Sequence, residues 1–366
     1  MKKINPMLFI LVGGIFAGSI IGRLNLINSP KQNIINSSLL IRTTNPINEQ
    51  NPKSRTWKAV SIDKVLSINN YGNNKILMPG KIEIRYGYIY VFDFNIPAVL
   101  KYSLSGNFQQ KFGNGKGRGP GEFQSPTDFD VLNNGHVFVT DGTNNMISLF
   151  DSKGRLLRSI KTNGAPVRIA AFNDSQYFVR LSGIGNLFYK FNNNKPVKSF
   201  GLFTKEQSSY SWPEDISLTC NDGKTVYGAF FHGGYIVCYD AEGNQLYFVQ
   251  TIDRFSFPKL NLEHFSEGTK HLTYTSISRS TPVSAIDISC SNDTLFVFAG
   301  QASKEAKGVV IDAYSSKDGK YIYSFKFSKP QEVEGYTYCT VSDGYLYLSE
   351  ILKDGNADVS KYKIVF

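Results

Sequence analysis

Beyond residue 56 the chain is punctuated by short apolar runs in which an aromatic residue is flanked by β-branched or aliphatic neighbours. Tyr88-Ile89-Tyr90-Val91-Phe92-Asp93 is the first and Val137-Phe138-Val139-Thr140-Asp141 the second. Tyr177-Phe178-Val179, Val226-Tyr227-Gly228, Leu295-Phe296-Val297 and Leu346-Tyr347-Leu348 follow. Runs this short, bounded by turn residues, read as strands. Between central aromatics the steps are 48, 40, 49, 69 and 51 residues. That is the spacing of propeller blades.

Each unit repeats one internal order. A short strand precedes the aromatic strand across a polar turn: Asn133-Asn134-Gly135, Asn173-Asp174-Ser175, Asn221-Asp222-Gly223, Asn292-Asp293 and Ser342-Asp343-Gly344. Asn, Asp and Gly supply the positive φ that tight hairpins need. A third strand ends on Tyr102, Phe150, Phe191, Tyr239, Tyr314 or Tyr362, and a fourth follows a second turn such as Asp151-Ser152-Lys153-Gly154. After Tyr362 only four residues remain, so the sixth unit lacks its fourth strand. The run from Trp57 to Ile68 is the natural donor, because an open apolar edge would not be stable. The pattern predicts an all-β, six-bladed β-propeller of four-stranded blades over residues 57–366, closed by an N-terminal outer strand.

Ahead of the body, Lys2 and Lys3 precede an uncharged apolar run from Met7 to Gly22, closed by Arg23. This is the layout of an export signal, and residues 1–24 read as a signal peptide or a membrane anchor in helical form. The Asn-, Ser- and Pro-rich stretch 25–56 cannot bury a core and reads as a disordered linker. The expected location is the cell envelope, on the periplasmic or extracellular side.

Composition sharpens this picture. Aromatic residues are 14% and charged residues 19% of the 366, which excludes a coiled coil, a disordered chain and a polytopic membrane protein. The net charge of +10 is concentrated at the start: residues 1–58 hold eight Lys and Arg against Glu49 alone. A basic tail beside an apolar segment suits an anionic membrane surface. The body carries only +3 over 308 residues, so no nucleic-acid partner is expected.

At residues 112–160 the order Phe112-Gly113, Gly119-Pro120-Gly121-Glu122-Phe123, Pro126, Val139-Thr140-Asp141, Asn144-Asn145, Ile147, Phe150 and Gly154 resembles the NHL-repeat family of six-bladed β-propellers. The resemblance covers one full repeat closely. It implies the propeller fold and, in most members, a binding platform. Some related propellers are metal-dependent hydrolases or lyases, so the fold leaves the function open.

Candidate chemistry is sparse. Gly113 to Gly119 looks like a phosphate loop but lacks the Walker spacing and a helix to follow it. Asp93, Asp141 and Glu350 each fall three residues after the central aromatic of neighbouring units. They could converge on a metal such as Ca²⁺, or each could cap its own loop by accepting backbone N–H groups. The four His show no metal spacing, no catalytic triad order appears, and no cofactor is implied. Cys220, Cys290 and Cys339 fall at the ends of innermost strands and read as buried free thiols.

The short turns all lie at one end of the blades. The other connections are long: Gly113–Ser125, Gly201–Asp215, Asp253–Ala285, Ala299–Gly308 and Ser349–Ala357. Long connections of this kind commonly serve binding. Lys116, Arg118, Trp212, Phe257, His264 and Tyr274 are therefore the candidate contacts for a protein, peptide or glycan partner. The leading reading is a non-enzymatic binding scaffold. Its rivals are an envelope hydrolase or lyase with a metal in the central channel, and a purely structural part of an envelope complex.

Overall fold

The computed structural model describes residues 54–182, 187–201, 216–221, 223–256, 261–267, 270–276, 278 and 280–366, with the backbone alone at 217, 220, 221, 261–267 and 270–276. It shows a six-bladed propeller of four-stranded antiparallel blades. Strands are lettered A to D from the axis outward. Blade 1 is Pro79–Arg85, Tyr88–Asp93, Ala98–Ser103 and Phe108–Phe112; blade 2 is Pro126–Val131, Val137–Asp141, Met146–Phe150 and Leu156–Lys161. Blade 3 is Ala165–Ala171, Gln176–Ser182, Phe188–Asn192 and Lys195–Phe200; blade 4 is Ile216–Asn221, Thr225–Phe230, Tyr235–Asp240 and Gln245–Gln250. Blade 5 is Ala285–Ser291, Thr294–Ala299, Gly308–Ser315 and Tyr321–Ser328.

Blade 6 takes A, B and C from Val333–Ser342, Tyr345–Leu352 and Ala357–Val365, and D from Ser61–Ile68 at the other end of the body. Ser61 pairs with Val365 and Ile68 with Val359. The N-terminal strand thus closes the ring in the position the missing fourth strand requires.

The strands are apolar for a geometric reason. Every blade lies between two others, so both faces of its inner strands are covered. Six clusters fill the six gaps; Phe178, Phe188 and Phe200 of blade 3, for example, pack on Ile216, Val226 and Phe248 of blade 4. The D strands face the rim and return to alternation. Phe108–Phe112 runs from half-buried to exposed at successive residues before Phe112 is fully covered.

Two further tight turns join strands within a blade. Blade 1 joins A to B through Tyr86 and Gly87, at φ 50° and 78°, and blade 3 joins C to D through Asn193 and Asn194, at φ 46° and 68°. The first places an aromatic residue where Asn or Gly would be the usual occupant. Three of the long connections also carry regular structure. Asp253–Ala285 contains a hairpin, Asn261–Glu267 paired with Lys270–Ser276. Ala299–Gly308 holds a short helix, Gly300–Ala306. The first four residues of Ser349–Ala357 simply extend strand B to Leu352.

Residues 55–58 form a strap on the rim before strand D of blade 6 begins, so the expected linker overlaps the docked chain by two residues. The Lys58 N–H donates to Ser324 O at 2.8 Å, and the Ser324 N–H donates to Thr56 O at 2.9 Å. The Arg55 guanidinium lies between blades 4 and 5, 2.7 Å from Asp253 and 2.8 Å from both carboxylate oxygens of Asp312. A bidentate Arg–carboxylate pair of this kind fixes orientation as well as charge.

Candidate functional site

The most complete surface element is the connection from blade 1 to blade 2. It is a loop bonded to itself. The Asn114 N–H donates to Gly121 O at 2.8 Å, Phe123 N–H to Gly115 O at 2.9 Å, and Gly117 N–H to Phe123 O at 3.1 Å. The Glu122 carboxylate accepts the Gly119 N–H at 2.7 Å. Phe123 is buried against Phe150. Gly113 must be glycine: its φ is 120°, and a Cβ there would meet the Phe123 ring at 2.8 Å. With its backbone satisfied internally, the loop presents Lys116 and Arg118 as exposed side chains.

Asp141 ties this loop to the blade. It accepts the N–H groups of Gln124 at 2.7 Å and Ser125 at 3.2 Å, which end the loop. It also accepts those of Thr143 and Asn144, both at 3.1 Å, which form the next turn of its own blade. Asp93 does the same one blade earlier, accepting from Leu77, Met78, Asn95 and Ile96. Glu350 differs. It accepts from Tyr362 Oη at 2.5 Å and Ser360 Oγ at 2.6 Å, with Lys64 Nζ at 3.2 Å. The structure does not bring the three carboxylates together. Among the described residues no group of three His, Cys, Asp or Glu could hold a metal ion.

The remaining candidates are scattered. Trp212 and Phe257 lie outside the described residues. His264 and Tyr274 sit on neighbouring rungs of the 261–276 hairpin, His264 opposite Thr273 and Tyr274 opposite Glu263. Cys339 and Cys238 are buried free thiols, whereas Cys290 is only partly covered. The Cys220 side chain lies outside the description.

The residues that line the channel were not singled out from the sequence. Each A strand has one edge turned to the axis, where no further strand pairs with it. Its backbone groups need other partners, and neighbouring blades supply side chains. Asp128 accepts the Ile169 N–H at 3.0 Å, Asp130 accepts the Ala171 N–H at 2.6 Å, and Arg168 donates to Ile216 O at 2.9 Å. Ser289 Oγ accepts the Val341 N–H at 3.0 Å, and Thr340 Oγ1 donates to Ile82 O at 2.6 Å. Lys81 sits among them, 2.8 Å from Glu83, 2.9 Å from Asp128 and 2.8 Å from Phe129 O.

The side chains here are buried enough to move protonation equilibria. Burial pushes the Asp287 carboxyl up to about 7, against the pull of Lys81. Burial, reinforced by Glu83, also raises Asp130 well above the carboxylate range. Asp287 joins Lys81, Glu83, Arg85, Thr219 and Thr340 around a small polar cavity. The signal was present in the sequence. Lys81-Ile82-Glu83-Ile84-Arg85 and Asp128-Phe129-Asp130-Val131 alternate charge with apolar residues, as a strand does when one face meets a polar axis.

Residues 65–217 match a family model, DUF5128, described as a 6-bladed beta-propeller. The match spans blades 1 to 3, including the 112–160 stretch. No curated protein matches the chain. Among solved structures, a protein from Bacteroides fragilis described as exported superposes with a TM-score of 0.57 at 11% identity, covering 87% of this chain and 99% of that one. A member of the DUF4221 family from Bacteroides vulgatus gives 0.53 at 15% identity, with 84% and 98% covered. A catalytically inactive virginiamycin B lyase from Staphylococcus aureus, with quinupristin, gives 0.52 at 13% identity, with 84% and 100% covered. At such identities the likeness is one of fold.

Proposed function

We propose that the protein is an exported propeller, held at the cell envelope by its N-terminal segment, that binds a protein, peptide or glycan partner on its long-connection face without catalysing a reaction. The observation that carries this reading is the 113–125 loop. Its backbone is bonded to itself, to Asp141 and to Asn144, so Lys116 and Arg118 project from an ordered frame. A pre-ordered loop loses little conformational entropy when a partner arrives. The NHL-like residues Gly113, Gly119, Pro120, Gly121 and Phe123 are the ones that build this frame.

The channel supports the same reading by its contents. Asp128 and Asp130 are engaged with backbone of the next blade, and Asp93 and Asp141 with their loops. Lys81 lies between Asp128 and Glu83 and pairs with both. Lys81, Asp128, Asp130, Arg168, Ser289 and Thr340 serve as side-chain partners for the axial edges of five of the A strands.

Site-specific photo-crosslinking in the native envelope tests the proposal. A photoreactive residue at 116 or 118 is expected to trap a discrete partner, and the same residue at 134 or 343, in the short turns, is not. Adducts from 134 and 343 alone would place the partner on the other face. Charge reversal at Lys116 and Arg118 together should abolish the adduct at unchanged melting temperature.

A further inference from the structure

The exposed apolar side chains of the described body are mostly scattered singly around the rim: Val65, Leu157, Val197 and Leu246 lie on four different D strands. One place breaks this pattern. Where the strap crosses blade 5 and the C-terminus ends blade 6, Trp57 is 47% exposed, Phe366 58% and Val365 44%. Two lysines are threaded through them. Lys326 Nζ lies 4.8 Å from the Trp57 ring, and Lys58 Nζ lies 3.9 Å over Tyr323 and 4.9 Å from Phe366. Phe366 in turn packs edge-on against Tyr323 at 5.6 Å. The two groups, Trp57 with Lys326 and Lys58 with Tyr323 and Phe366, adjoin through the Trp57–Lys58 backbone and place rings and ammonium groups along one stretch of the rim.

We propose that this rim strip docks on an anionic membrane surface. Aromatic rings with a polar flank settle at the headgroup level of a bilayer, and lysines beside them are attracted to anionic lipid. The occupant is indicated by where the chain goes. Residues 1–53 precede the strap and contain the apolar run from Met7 to Gly22 and six of the eight N-terminal basic residues. They enter the body three residues before Trp57, at a point fixed by the Arg55 pair with Asp312. A membrane-held N-terminus therefore raises the effective concentration of lipid at this part of the rim above that at any blade farther from the strap. The inference rests on the proposed membrane attachment and adds to it an orientation: the propeller lies on its edge, with both faces accessible.

The test uses the full chain carrying Trp212→Phe, which leaves Trp57 as the sole tryptophan. The protein is reconstituted with vesicles of phosphatidylcholine and phosphatidylglycerol in which the acyl chains are brominated. Trp57 emission should shift to the blue and fall at least about twofold, because the ring sits at the depth of the headgroups and upper acyl chains. The quenching should diminish in vesicles lacking phosphatidylglycerol, and in K58E/K326E at unchanged melting temperature. Flotation of the protein with vesicles while Trp57 stays unquenched would overturn the docking strip and leave the N-terminal anchor standing. Absence of flotation would overturn both. Emission that depends on protein concentration and not on lipid would overturn it in favour of a second copy of this chain as the occupant.

Discussion

The ammonium of Lys64, on the strand that closes the ring, lies 3.2 Å from the buried carboxylate of Glu350 in strand B of the same blade. The two belong to opposite ends of the body, and strand C runs between them. Tyr362 and Ser360 of strand C bond the same carboxylate, and Ser67 reaches Asp358 further along the ladder. Strand D is therefore joined to its blade by side chains as well as by the backbone ladder.

Glu350→Ala should destabilise the fold by about 3 kcal/mol, because Lys64 loses its nearer charge partner and two buried hydroxyl groups lose their acceptor. Denaturant unfolding would measure this. Chelation by EDTA should leave the wild-type melting temperature unchanged, and a fall on chelation would restore a metal role for this carboxylate.

Removal of residues 54–68 should open or unfold the propeller, since blade 6 loses a strand and one layer of packing. Removal of residues 25–50 should leave melting almost unchanged. Equal melting of the two truncations would show that ring closure does not depend on the N-terminal strand.

The Gly113→Ala change should lower stability by roughly 1–3 kcal/mol. The new methyl group would meet Phe123 and the backbone would be held at an unfavourable positive φ. A thermal melt checks it. The same change at Gly115, where the side chain would meet open space, carries only the backbone penalty and should cost less.

Asp287 gives a pH signature. Its carboxyl titrates near 7 in the folded protein against an ordinary value of 3.8. The folded state therefore holds the proton more tightly than the unfolded state. Stability from this group is complete below about pH 4 and is lost as pH rises through 7. Asp287→Asn removes that dependence, so the variant should melt above wild type at pH 8 and lose this advantage toward pH 4. Lys81 keeps Glu83 and Asp128 in the variant. A constant difference across this range would show that Asp287 is ionised throughout.

The six units were legible because their turns and aromatic strands follow local rules. Asn292-Asp293 and Asp343-Gly344 do adopt the positive φ their chemistry favours. The turn at Tyr86-Gly87 was not legible, since tyrosine there adopts a positive φ that its own propensity disfavours. Glu350 shared a position with Asp93 and Asp141 along strand B but not a role. Its longer side chain serves strands C and D, whereas the two aspartates serve loops, and spacing alone does not separate these. Arg55 was hidden for a different reason: it sits in polar low-complexity sequence, and only its two distant carboxylates reveal that it is docked. The alternating charges of the A strands in Lys81–Arg85 and Asp128–Val131 are the local mark of a polar axis, but which backbone group each one serves depends on the neighbouring blade.

The strap has a mechanical meaning. A pull on the chain before Ser54 reaches the Arg55 clamp on blades 4 and 5 before it reaches the strand that completes blade 6. The load is divided between a charge contact and the two backbone bonds at Ser324, and it must break these before it can peel Ser61–Ile68 away from Ala357–Val365. A protein tugged by its own tether would yield first at a short contact that can re-form, with the ring still shut.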